Sequence, residues 1–156
     1  MAPERCFDQH KPALEVLGTA RYVAADPGAA AVQDLALFGL WYDAQLGYLR
    51  ALDTVRSVGI DIEELAPLAA AQLGHVVDTT ADTAHELVTE SFPRGPASLS
   101  EHAPVVERLK TLRHNQRLGL GGLDHIHPLL QQHIRSGRGH EGLTSILELS
   151  PHHASR

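Results

Sequence analysis

Between residues 27 and 58 the chain is rich in apolar side chains and contains no internal proline. Asp26-Pro27 reads as the start of a helix there. A carboxylate stands at the N-cap, followed by a proline at the first helical position, where a missing N–H costs nothing. Gly59 reads as the stop. A helix of about 31 residues at 1.5 Å each would be roughly 47 Å long, well beyond the usual globular helix. Its apolar residues surround most of its girth, so it has to be covered on several sides, by its own chain or by another.

The remaining pattern is shorter in period. DQHKPALEVL (residues 8–17) predicts a short helix ended by Gly18. ARYVA (20–24) predicts a brief strand, although no other segment has the alternation needed to pair with it. Asp61 and Glu64 form a capping-box-like pair that opens the next helix, and Pro67 predicts a kink or early break in it. FPRGPAS (92–98) is a loop by its Pro and Gly content, with Ser98 or Ser100 available to cap EHAPVVERLKTLRHNQRLG. GLGG (119–122) marks a turn, DHIHPLLQQHIRSG a further helix, HEGLTSILEL a last helical piece and SPHHASR a polar tail. The expected fold is all-α: a long central helix and a bundle of about five helices behind a short N-terminal αβ segment.

Composition narrows the class. Aromatic residues make up 4% of the chain against 43% for all hydrophobic types, so the core must rest on Leu, Ala and Val, which suits packed helices. A formal net charge of −6 argues against nucleic acid as a main partner. The single Cys6 excludes an internal disulfide and fits a reducing compartment. The N-terminus MAPERCFDQHK has no apolar leader, and no run reaches the roughly 18 apolar residues of a membrane span. A cytoplasmic protein without a membrane partner is expected.

The long helix also carries the candidate chemistry. At 100° per residue, Asp34, Phe38, Trp41, Gln45, Tyr48 and Leu52 fall within about 40° of a common direction, with Tyr42 on the flank. Burial of that face would place a carboxyl group in an apolar setting, raise its pKa and equip it as a proton donor to an imine or carbonyl. The competing interpretation is an exposed or paired aspartate beside an aromatic stripe that is simply core. Metal binding has little support: His125 and His127 are two residues apart, His152-His153 sit in the tail, and no HExxH or Cys-His spacing occurs. GLGG follows a helix rather than a strand and lacks the third glycine of GxGxxG, because position 124 is Asp. No metal or cofactor ligands are therefore expected.

Laid out in order, the segments resemble the C-terminal half of the imine reductase and reductive aminase family. HKPALEVLG with ARYVAADPG is similar to the last helix and strand of that family's Rossmann domain, and DPGAAAVQDLALFGLWYDAQLGYLRAL to its interdomain helix. GIDIEELAPLAAAQL resembles the next helix, and GRGHEGLTSILEL the closing segment. The resemblance implies a remnant of the Rossmann domain over residues 1–26, a helical substrate-binding and dimerisation domain over 27–150, and a tail over 151–156. It implies an intertwined homodimer. It also implies that Asp34, in its D-L-A-L context, and Tyr42, eight residues later, protonate or anchor an imine nitrogen. Phe38, Trp41, Gln45 and Tyr48 would be their pocket neighbours.

NADPH is the cofactor of that family, yet the dinucleotide fingerprint and nearly all the Rossmann strands are missing from this sequence. ARYVA is then the trimmed edge of a lost sheet, and this chain alone is not expected to bind cofactor or transfer hydride. Three functions follow. The first is the substrate half of an NADPH-dependent oxidoreductase acting on an imine, amine or carbonyl substrate, completed by a Rossmann-domain partner. The second is a cofactor-free acid–base enzyme, a cyclase or isomerase. The third is a non-catalytic dimerisation module or remnant.

Overall fold

The computed structural model describes residues 3–26 and 28–149. Among them all regular structure is helical: α1 (Pro3–Leu14), α2 (Ala29–Arg56), α3 (Ile62–Asp78), α4 (Thr80–Thr89), α5 (Leu99–Arg113), α6 (Leu123–Arg135) and a closing 3₁₀ helix (Leu143–Leu149). The expected helix-initiating Pro27 and the tail from 150 onward lie outside the described residues. The chain divides into two compact units, residues 1–45 and 46–156.

In the first unit the expected strand does not form. Residues 19–24 have no regular structure, because an isolated strand finds no ladder partner for its N–H and C=O groups. The segment is tied instead through Tyr22, whose ring lies 5.7 Å from that of Phe7 on α1. α1 itself begins at Pro3, earlier than the apolar pattern suggested. Asp26 behaves as a turn former at the entry to α2: its Oδ1 accepts the backbone N–H of Gly28 at 2.7 Å. α2 then runs 28 residues and ends three residues before Gly59, which takes the left-handed conformation (φ +77°) that its position as a stop requires.

The second unit holds the core. Leu99, Ala103 and Val106 recur at four and three residues along α5 and are buried against Leu130 of α6. Leu123, Ile126 and Ile134 of α6 and Ile146 of the 3₁₀ helix close around them. Both helices thus present one stripe of the 3.6-residue period, as two helices packed side by side must. Full burial of Leu130 contributes about 1.5–3 kcal/mol relative to an exposed side chain.

The first turn of α5 is held from two directions. Leu99 and Ser100 donate their backbone N–H groups to Glu141 O at 2.8 Å and Gly139 O at 3.0 Å. These bonds satisfy donors that an unaccompanied helix start would leave orphaned. Ser98 donates both its N–H (2.7 Å) and its hydroxyl (2.8 Å) to Glu101 Oε2, so of the two candidate caps Ser98 is the one used. Arg94 reaches the other oxygen of Glu101 at 2.6 Å. That hydrogen bond first, and those from Ser98 after it, hold the Glu101 carboxyl at about 2, well below its ordinary 4.5.

The 3₁₀ helix is anchored by fully buried His133, whose Nε2 lies 2.9 Å from Ser145 O. Arg138 clamps Glu141 through Nε and also pairs with Glu148, while its guanidinium lies 5.8 Å from the Phe92 ring centre. Gly142 has no freedom to carry a side chain, because a Cβ there would run into the carbonyl oxygen of Pro93.

Pro67 does not break its helix. It stands sixth in α3, as Pro104 does in α5 and Pro128 in α6, and each helix continues past it. A proline that early removes one hydrogen bond near the helix start, and the turns beyond it remain intact. The break comes at Thr79 instead. Its hydroxyl donates back to His75 O (3.0 Å), and that of Thr80 donates to Val77 O (2.8 Å). Such back-bonding competes with the helix ladder and bends it.

Candidate functional site: the face of helix α2

α2 forms because its sequence is rich in Ala and Leu, with Gly39 and Gly47 as its weakest points. Asp34, Phe38, Trp41, Tyr42 and Gln45 all lie on the part of α2 that belongs to the first unit, and all are exposed. Trp41 and Tyr42, adjacent in sequence, meet edge to face with ring centres 5.0 Å apart, a favoured aromatic geometry. Tyr48 falls on the part of α2 in the second unit and is half-buried there.

The described residues of the chain do not bury this face. No described residue of α2 is buried, and Val32, Leu35, Leu37, Phe38, Leu40, Trp41 and Tyr42 are each more than half exposed. The aspartate therefore stands on an apolar surface open to solvent rather than in an apolar pocket. The pattern called for a covering surface from the same chain or another, and the described residues of this chain do not supply it. Single exposed apolar residues are ordinary; this many large ones around the girth of one helix mark an interaction surface.

The other sequence candidates resolve differently. The GLGG turn does follow a helix, α5, and Gly119 and Gly121 adopt φ +63° and +65°. Gly121 packs against Arg50: a Cβ there would lie 3.0 Å from its guanidinium, whose Nε donates to Leu118 O at 3.1 Å. No βαβ unit occurs among the described residues. The fastening of residues 116–121 to α2, which also uses a 2.9 Å bond from Thr54 Oγ1 to Gln116 Oε1, was not legible in the sequence, because its partners are more than sixty residues apart. Among the described residues no three His, Cys, Asp or Glu side chains gather as a metal site, and no helix is long and apolar enough to cross a membrane.

Comparison with known proteins gives the family of the domain. Residues 26–151 match the family model described as the NADPH-dependent reductive aminase-like, C-terminal domain. An NADPH-dependent reductive aminase from Aspergillus oryzae is 25% identical over 146 residues, covering 91% of this chain and 49% of that protein. A reductive aminase from Aspergillus terreus, solved with NADPH, cyclohexanone and allyl amine, superposes with a TM-score of 0.75 at 25% identity. The match covers 88% of this chain and 49% of that one. An imine reductase variant from Myxococcus stipitatus gives 0.79 at 23% identity, over 92% and 51%, and is a likeness of fold. The chain thus spans about half the length of the relatives it matches. With α2 beginning three residues inside the matched region and the closing Gly-rich segment near its end, this chain belongs to the NADPH-dependent reductive aminase-like C-terminal domain family.

Proposed function

We propose that this chain forms the substrate wall and the dimer contact of an NADPH-dependent reductase of C=N bonds, with the nucleotide-binding part supplied by a further portion of polypeptide or a separate chain. Reduction of an imine needs a proton held at nitrogen as hydride reaches carbon. The Asp34 carboxyl and the Tyr42 hydroxyl are the groups we assign to holding or delivering it. Phe38, Trp41, Gln45 and Tyr48 line the substrate alongside them. The observation that carries this reading is the uncovered face of α2: an aspartate and a tyrosine eight residues apart stand among large exposed apolar side chains. A covering surface from a second copy and from a nucleotide-binding domain would exclude water there and strengthen every electrostatic contact to the imine.

The test is reconstitution. The chain is mixed with a separately expressed Rossmann half of a reductive aminase, and NADPH oxidation is followed with cyclohexanone and an amine. Turnover that requires both halves and falls at least ~100-fold in Asp34→Asn, the size expected for loss of a general acid, supports the assignment. A complex that forms yet turns nothing over sinks it. Turnover without nicotinamide that is lost in Asp34→Asn would put a cofactor-free acid–base enzyme in its place.

A further inference from the structure

A recess lies wholly within the unit of residues 46–156, beginning two helical turns beyond Tyr42 along α2 and lined by none of the side chains assigned to the substrate site. It has a volume of about 380 Å³, within the range of small-molecule sites. α2 contributes Leu49, Leu52, Asp53 and Arg56, which recur at three, four and seven residues and therefore share one helix face. Ile62, the first residue of α3, and Arg117 with Leu118 from the segment after α5 complete it. Four of the seven lining side chains are leucine or isoleucine and the other three are charged, so an apolar body would be oriented by charged contacts.

The charge balance of those polar groups is unequal. Asp53 is the one carboxylate in the lining, and it is already engaged by Arg56 at 2.8 Å. Arg117 has no ion-pair partner among the described residues. The recess therefore carries an uncompensated positive charge in a chain whose formal net charge is −6. More positive charge stands behind it. Arg50 grips the carbonyl of Leu118, the lining residue next to Arg117. Arg113 is depressed by burial and then by the charge of Arg50, with its Nε buried and unpartnered. A fold that collects cations around the 113–118 segment and leaves one guanidinium free over an apolar wall is suited to an anion with an apolar body. A guanidinium holds a planar carboxylate by two parallel N–H donors, a geometry that lysine cannot reproduce.

We propose that this recess binds a small organic carboxylate, the carboxylate on Arg117 and the apolar body against Leu49, Leu52 and Ile62. The experiment is isothermal titration calorimetry of the whole chain with benzoate, with benzylamine as the same body bearing the opposite charge, and with inorganic phosphate as an anion lacking the body. Saturable one-to-one binding of benzoate, weaker in Arg117→Ala by ~tenfold or more as loss of a charge-assisted pair implies, is the expected result. Benzylamine and phosphate should bind at least ~tenfold more weakly than benzoate, each lacking one of the two contacts. Arg117→Lys should recover only part of the affinity, and Asp34→Asn should leave it unchanged, which separates this site from Asp34. No saturable benzoate heat, equal binding of benzylamine, equal binding of phosphate, or an Arg117→Ala variant that binds as the parent does would each overturn the proposal. Far-ultraviolet circular dichroism confirms that Arg117→Ala retains its helices, as an exposed side chain predicts.

Discussion

The stripe on α5 and the stripe on α2 obey the same helical period and meet opposite fates. Leu99, Ala103 and Val106 find α6 and the 3₁₀ helix within their own chain and are buried. Phe38, Trp41 and Tyr42 find no covering element among the described residues and stay in solvent. α5 is short and its partner follows within ten residues, so the pairing is local and closes at little entropic cost. α2 is 28 residues long with apolar groups around its girth, and no single neighbour can cover it. Periodicity says that a face wants to be buried; it does not say whose surface will bury it.

The sharpest way to break this comparison is to truncate the buried side. Leu130→Ala should cost about 2–5 kcal/mol, because the cavity it leaves is enclosed on all sides, and a urea transition at fixed protein concentration would show it. Survival at parental stability would mean that the α5–α6 contact is not the core. Next in size is Gly142→Ala, where the new methyl group meets the Pro93 carbonyl oxygen. Overpacking of this kind costs about 1–3 kcal/mol, read as a lowered melting temperature.

On the exposed side, Leu40→Ala should change the stability of an unassociated chain by less than about 0.5 kcal/mol, as at other open surface positions. If a second copy covers α2, the same substitution should lower the melting temperature at high protein concentration and reduce the dimer seen by light scattering. An effect that is large and independent of concentration would show that α2 is covered within one chain.

The smallest effect concerns acid. The Glu101 carboxyl is held at about 2 against an ordinary 4.5. Its folded pKa is depressed, so its contribution to stability is fully present above the unfolded value and is lost as pH falls through the folded one. Wild type should weaken between those two values by more than Glu101→Gln does, measured as urea midpoints along a pH series. Equal slopes for the two proteins would remove Arg94 and Ser98 as the cause.

Much of this molecule was legible in its sequence because the deciding interactions are local. Ser98 with Glu101, Asp26 before α2 and Gly59 after it act within a few residues, so helix boundaries there followed from spacing and cap chemistry. The family resemblance was likewise carried by the order of such segments, and the match over residues 26–151 agrees with it.

The tertiary structure decided what depends on partners distant in the chain. Pro67 looked like a break because proline is costly within a helix, but its early position left the later turns whole, and two threonine hydroxyls made the break twelve residues on. ARYVA had strand propensity, yet a strand exists only where another chain segment completes its hydrogen bonds, so it docks through Tyr22 on Phe7 instead. Arg50 reaching Leu118 across 68 residues, and Arg117 lining an apolar recess with no ion-pair partner among the described residues, had no local signal at all. The sequence by itself determined where the helices run and which face of α2 bears its aspartate and aromatic rings, since backbone periodicity is a property of neighbours. Which of those faces are covered, and which charges go unpaired, was decided only when distant segments met, because burial and ion pairing are properties of the space between them.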